Sequence, residues 1–253
     1  GYNMPHDGWD LLLNWTWFHS HNHHTTTADA DQFLFPTRQD PDINAINPQV
    51  TVADTHQHLN LNLLDLEMGR EFFVSKWLTV RPHVGLRGAW IHRDFEVEYT
   101  GGVEGLGANE LEDEFHARYR GVGLRTGFDT QWGLGSGWSI FGQMAFSLLY
   151  GRHLVNAEEE LEAPSGAKTL REKVRSRWTM VRAMTDLALG LRWDHLFCDD
   201  RYRVRLQLGW EQHDLFGFNK DIDFVDGLDR GKFTSNRGDL AFSGVAFQAR
   251  FDF

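Results

Sequence analysis

The stretch YRVRLQLGWE at 202–211 decides the fold. Tyr202, Val204, Leu206, Leu208 and Trp210 alternate without a break against Arg203, Arg205, Gln207, Gly209 and Glu211. Successive side chains on a strand point to opposite faces, so this is a β-strand with one apolar and one charged face. The same period recurs along the chain. Trp9, Leu11, Leu13, Trp15 and Trp17 share a face opposite Asp10, Asn14 and Thr16. Leu78, Val80, Val84, Leu86 and Trp90 oppose Thr79, Arg81, His83 and Arg87. Trp138, Ile140, Met144, Phe146, Leu148 and Tyr150 oppose Ser139, Gln143 and Ser147. Val181, Leu187, Leu189, Leu191 and Trp193 oppose Arg182, Asp186, Arg192 and Asp194. The chain ends on Val245, Phe247, Ala249, Phe251 and Phe253 against Gln248, Arg250 and Asp252. Two stretches are less regular. In 56–70 the apolar phase slips between Leu63 and Leu64, where a β-bulge would restore one face. In 115–130 the phase is mixed around Gly121, Gly123 and Gly127, and glycine permits bulges and close backbone approach.

The connections alternate in length. Short ones at 3–8, 71–76, 131–137 and 198–200 hold turn residues, and long polar ones fall at about 20–55, 96–114, 152–177 and 214–239. Segment 161–177 is a candidate short helix, interrupted by Pro164 and Gly166. Short turns at one end and long loops at the other, with spans of about ten residues, describe an all-β, antiparallel transmembrane β-barrel of the outer membrane. A soluble barrel also alternates, with its apolar face inward. Against it stand Arg, Asp and Glu in register on several strands, as a polar lumen requires. The aromatics Trp9, Trp15, Trp17, Trp90, Trp138, Trp193, Trp210, Phe251 and Phe253 sit where membrane-interface girdles belong. About eight strands are legible, in a single domain over 1–253, and an even number leaves both termini on the turn side.

Composition agrees. The 253 residues carry 10 Trp, 19 Phe and 25 Gly, yet only 41% hydrophobic residues. That suits a wall with one apolar face and aromatic rims better than a thick core. No run approaches a membrane-spanning helix, and no basic and apolar leader opens the chain, which starts at Gly1. A net charge of −11 argues against nucleic acid. The single cysteine, Cys198, excludes a disulfide framework and a multi-cysteine zinc site. Phosphate-loop and GxSxG patterns are absent.

The charged face is the functional candidate. Arg81, His83, Arg87, Arg182, Asp186, Arg192, Asp194, Arg203, Arg205 and Glu211 are expected to line the interior. There they form either a charged constriction that selects small solutes or an ion-pair network that fills the barrel. Eight strands enclose a space just wide enough for side chains, which favours filling. His19, His21 and His23 alternate on one face, with His56 and His58 across the following loop. Imidazoles at that spacing could share a transition metal or form a plain hydrated rim; no acidic partner is fixed at ligand spacing. Glu96, Glu98, Glu104, Glu110, Glu112 and Glu114, and Glu158, Glu159, Glu160 and Glu162, crowd two connections as solvated carboxylates or cation ligands. His153 and His213 lie in no motif specific enough for a triad, so an enzyme is not expected.

Three stretches carry a family resemblance: GYNMPHDGWDLLLNWTWFHS at 1–20, LLDLEMGREFFVSKWLTVRPHVGLRGAWI at 63–91 and RGVGLRTGFDTQWGLGSGWSIFG at 120–142. They resemble the Legionella-type major, pore-forming outer membrane proteins over the whole length, loops excepted. The family's members look longer at the N-terminus, which implies a truncated chain and about ten strands in the full-length protein. The resemblance implies a porin-like pore for small hydrophilic solutes, without cofactor or bond chemistry. The expected partners are outer-membrane lipid and lipopolysaccharide, the assembly machinery reading the C-terminal strand, and the solutes; a homo-oligomer is left open. The alternative is a non-conducting barrel that acts through its outer loops as an adhesin or envelope stabiliser.

Overall fold

The computed structural model describes residues 1–4, 7–36, 49–103, 108–197, 202–224 and 233–252. The strands are β1 (Tyr2–Asn3), β2 (Trp9–Thr27), β3 (Val52–Arg70), β4 (Phe72–Phe73), β5 (Leu78–Val103), β6 (Ala108–Gly135), β7 (Trp138–Glu162), β8 (Lys168–Phe197), β9 (Tyr202–Phe224) and β10 (Phe233–Asp252). They form one antiparallel sheet in the order β1-β2-β3-β5-β6-β7-β8-β9-β10, with β4 paired to β5. Eight of them are long, and each long strand pairs with the next long strand in the chain. Among the described residues no ladder joins β10 back to β2. The rings of Phe18 on β2 and Phe242 on β10 nevertheless lie 5.0 Å apart, so the sheet curls until its two edges touch. The strand order and antiparallel pairing are those of an outer-membrane β-barrel.

The apolar faces point outward. On β7, Trp138, Ile140, Met144, Phe146, Leu148 and Tyr150 are exposed, while Ser139, Phe141, Ala145, Ser147 and Leu149 between them are buried. Leaving that stripe in water would forfeit its whole transfer energy; lipid removes the penalty. Trp138 to Tyr150 spans about 40 Å along the strand, or about 30 Å of membrane at the tilt of such barrels. The rims carry the rings. Trp138 faces Trp193 directly across the β7–β8 ladder, and Tyr202 and Phe251 stack with centroids 5.9 Å apart. Toward the other end, Trp17 and Trp90 both pair with Asn62 of β3, and Trp15, Trp17, Trp90 and Trp210 are all about half exposed or more. Trp9 is only partly exposed. Phe253 lies outside the described residues.

Met144 lies midway between the two rims. Met144→Arg is expected to lower stability in lipid by about 2–4 kcal/mol, whereas on a water-facing wall the change would be near neutral. Urea titration of the protein in vesicles measures it, and an unchanged midpoint would reverse the assignment of faces.

The strands run far past the membrane, to 25 residues in β7 and 30 in β8. The long connections read as loops are largely continuations of these hairpins, and the candidate helix at 161–177 is a turn followed by β8. The turn at Cys198 and residues 225–232 lie outside the described set. Above the outer rim the polarity inverts. Water now lies outside, so the outer face carries Arg118, Arg120, Arg152, Glu158 and Glu160. The inner face becomes largely apolar, with one cluster of Val50, Val97, Tyr99, Leu111 and Leu161 and another of Phe115, Ala117 and Val155, although His153 and Glu159 are buried there too.

This inversion corrects the reading of the phase slip at Leu63/Leu64. The β2–β3 ladder runs from Trp9↔Arg70 to Thr27↔Val52 without a register shift, so no bulge exists there. Leu64, Leu66 and Met68 face lipid below the rim, while Leu59, Leu61 and Leu63 face inward at and above it. The slip marks the membrane surface. Gly121, Gly123 and Gly127 of β6 are likewise not bulges, because the β5–β6 and β6–β7 registers run through them without a shift. They are close-approach sites: a Cβ on Gly123 would sit 1.8 Å from the Leu148 carbonyl oxygen.

One irregularity does redirect a strand. Gly217 takes φ +67°, its N–H donates to Asp239 Oδ1 at 2.6 Å, and the β9–β10 register slips between Gly238 and Leu240. The β8–β9 ladder ends at Met184↔Leu215. Beyond it β9 turns inward, and Leu215 and Phe218 are both buried.

Candidate functional site: the barrel interior

The interior is built in layers. Nearest the turns, Arg192 donates to Gln207 at 3.1 and 3.0 Å and to Gln131 at 2.8 Å, with its guanidinium 5.4 Å over the Phe141 ring. At the same end Asp194 accepts from Arg203 Nε at 3.0 Å and Arg205 Nε at 2.8 Å. Arg203 keeps 40% of its side chain exposed, so it belongs to the mouth rather than the interior.

The next layers hold the strongest pairs. Arg81 grips Asp10 with two nitrogens, Nε at 2.8 Å, and reaches Asp129 at 3.0 Å. Arg87 makes a fork to Asp65 at 2.6 and 2.7 Å and donates through Nη1 to Asp186 at 2.8 Å. Arg125 donates through Nε to Glu67 at 2.6 Å and through Nη1 to Asp186. His213 Nδ1 lies 2.7 Å from the other Asp186 oxygen. Arg87 and Asp65 are 3% and 2% exposed, so their charges are tolerable only because every partner is present. His83, 3.6 Å from Glu67, joins the edge of this group. A cavity of about 220 Å3 lies among Asp65, Glu67, Arg125, Asp186 and His213. Small residues leave room for the arginines: Gly85 stands between Glu67 and Arg125 in the register, and Gly123 beside Arg87.

An apolar layer closes the outer end. Leu59, Leu61, Leu63, Ala89, Ile91, Tyr119, Leu149, Met184, Leu215 and Phe218 form one buried cluster. The Phe218 ring meets Tyr119 edge-on at 4.8 Å, and the Arg182 guanidinium lies 5.6 Å over Phe218. Asn219, the next residue, accepts a hydrogen bond from Arg93 across the interior. The inward bend at Gly217 therefore lays β9 over the interior.

Of the expected interior residues, Arg81, His83, Arg87 and Asp186 converge on one network. Arg182 sits above it, Arg192, Asp194 and Arg205 below it, and Glu211 is 39% exposed beside His213. Asp65, Glu67 and Arg125 were not expected there. Asp65 and Glu67 do alternate with Leu64, Leu66 and Met68, so the signal was present but masked by the phase slip. Arg125 was masked by the glycines. His153 is buried with its ring edge-on to Trp178 at 5.1 Å.

The histidines lie on the outer face, immediately above the rim. The register pairs His21 with His58 and His23 with His56. An acidic partner is present after all: Asp54 Oδ1 is 2.6 Å from His23 Nε2. Farther along, Asp94 gathers His58 at 3.3 Å, His92 at 3.1 Å and His116 at 2.7 Å. Burial raises the Asp94 carboxyl, but hydrogen bonds with His116 and His58 and the nearby His92 outweigh it and hold the group below its ordinary range. Burial lowers His116, and Asp94 and Glu114 outweigh that to raise it. Glu104 lies outside the described residues; the other glutamates are strand-borne: Glu96, Glu114 and Glu158 stand abreast on three strands, as do Glu98, Glu112 and Glu160. Lys168 and Lys173 neutralise part of this array, at 2.6 Å from Glu112 and Glu158.

A family model described as the Legionella pneumophila major outer membrane protein precursor matches residues 1–253. Neither a curated protein nor a solved structure matches. The outward apolar stripes, the aromatic rims and this full-length match place the chain in the bacterial outer membrane. The chain belongs to the Legionella major outer membrane protein family.

Proposed function

We propose that this porin-like outer membrane protein passes small hydrophilic solutes down their gradient, with the layer of Arg81, Arg87 and Arg125 against Asp65, Glu67 and Asp186 as its constriction. The observation that carries the reading is the polar inner face, continuous from Arg192 and Gln131 through Arg81 to the cavity beside His213. Charges of both signs would line this constriction, with Asp65 and Arg87 on adjacent strands and Asp186 across from them on β8, and would select by charge as well as size. Arg192 and Arg205 would draw solute in at the turn end. Lipid, lipopolysaccharide and the assembly machinery are its proposed partners.

A second reading, a non-conducting barrel that works through its outer face, is favoured by the apolar layer around Phe218. Planar-bilayer recording on the full-length protein separates the two. Discrete conductance steps are expected, and a silent bilayer over a wide range of voltages, with protein shown to be inserted, would remove the pore.

A further inference from the structure

We propose that His23, His56 and Asp54 form a binding site for a divalent transition-metal ion of the zinc class on the outer face, just above the aromatic rim. The three side chains come from two adjacent strands in unbroken register. His23 and His56 are direct cross-strand partners, which places their Cβ atoms about 5 Å apart. Their rings stack at 4.4 Å with an interplanar angle of 9°. Asp54 is the next outward residue on β3. One of its oxygens is 2.6 Å from His23 Nε2 and the other 4.0 Å from His56 Nε2. One ligand atom from each residue lies within 4.8 Å of the other two.

Bonds of 2.0–2.2 Å in a tetrahedron put ligand atoms about 3.3 Å apart. The present spacings fall on both sides of that value, so small rotations of exposed side chains are enough to close the shell. Two imidazoles and one carboxylate suit zinc, copper or nickel, whereas magnesium and calcium favour all-oxygen shells. The site has an outer support as well: Thr25 Oγ1 donates to Asp54 Oδ1 at 3.2 Å and orients the carboxylate. The side chains are 48%, 41% and 31% exposed for His23, His56 and Asp54, which leaves an entry path and a fourth position for water. His19, His21 and His58 continue the imidazole row toward the rim, with His19 and His58 3.3 Å apart. They are not the primary ligands: Asp94 reaches His58 at 3.3 Å, but their ligand atoms do not gather into one group as compact as that of His23, Asp54 and His56.

The test is isothermal titration of zinc into the untagged full-length protein, folded in lipid vesicles at a pH where imidazole is neutral. One zinc per chain is expected, with magnesium giving no competing heat. The double variant H23A/H56A is expected to weaken zinc binding at least about tenfold, and H24A, whose side chain leaves the outer row, to leave it unchanged. Folding of each variant is read independently from its gel mobility before and after heating. Cobalt supplies a second readout, because a tetrahedral histidine and carboxylate shell gives an intense visible absorption that is lost in the double variant. No zinc heat above the buffer control, or equal affinity in the folded double variant, overturns the proposal.

Discussion

Asp186→Asn will destabilise the folded barrel by about 3 kcal/mol, the scale for breaking a buried ion pair from one side. Asp186 receives Arg87, Arg125 and His213 at 11% side-chain exposure. The amide fills the same volume but leaves two guanidinium groups facing a neutral acceptor. Their other partners, Asp65 and Glu67, cannot move, since each is fixed on β3 and already engaged. The penalty is therefore an uncompensated buried charge rather than a cavity. Urea unfolding in lipid vesicles measures it. Adding Arg125→Met to the same chain is expected to recover part of the loss, because the two changes share one interaction. A shift below about 0.5 kcal/mol for Asp186→Asn would show that water, not Asp186, neutralises the arginines.

Phe218→Ala is expected to raise single-channel conductance at least about twofold. Phe218 is 6% exposed and packs edge-on against Tyr119 at the outer end of the polar interior. Its removal would open the apolar layer at the point where β9 crosses the interior. Truncating a buried Phe costs about 3–5 kcal/mol of stability, so gel mobility before and after heating must first show that the variant is folded. Phe218→Leu, which keeps most of the volume, should conduct like the parent protein. Equal conductance in parent and folded Phe218→Ala would place the barrier elsewhere, with the ion-pair layer the next candidate.

The membrane wall was legible because each residue there faces either lipid or the interior, and a two-fold period cannot hide that difference. Strand order, outward faces and aromatic rims all follow from 202–211 and its repeats. The outer extensions were not legible as strands. Their apolar positions are shorter and lie on the opposite face, so a reader following one phase sees it break. Leu63/Leu64 is the clearest case: two half-strands with opposite polarity look like one strand with a bulge until the solvent on each side is known. The network was legible only by halves. Arg87 and Asp186 were readable as inward residues, but their contact depends on the curl that brings β5 opposite β8. The closing of the interior by Phe218 depends on one positive φ at Gly217 and on the Asp239 carboxylate that caps it, and neither carries a period.

The hairpins that continue beyond the rim also decide what another molecule meets on the cell surface. Every row of that surface is composed from several strands: Glu96, Glu114 and Glu158 stand side by side although they are far apart in the chain. An antibody or a phage tail fibre approaching from outside would read such rows crosswise. A linear peptide copied from any one strand would offer two faces at once and none of the neighbours. Antisera raised against peptides of this region should therefore recognise denatured protein far better than intact cells.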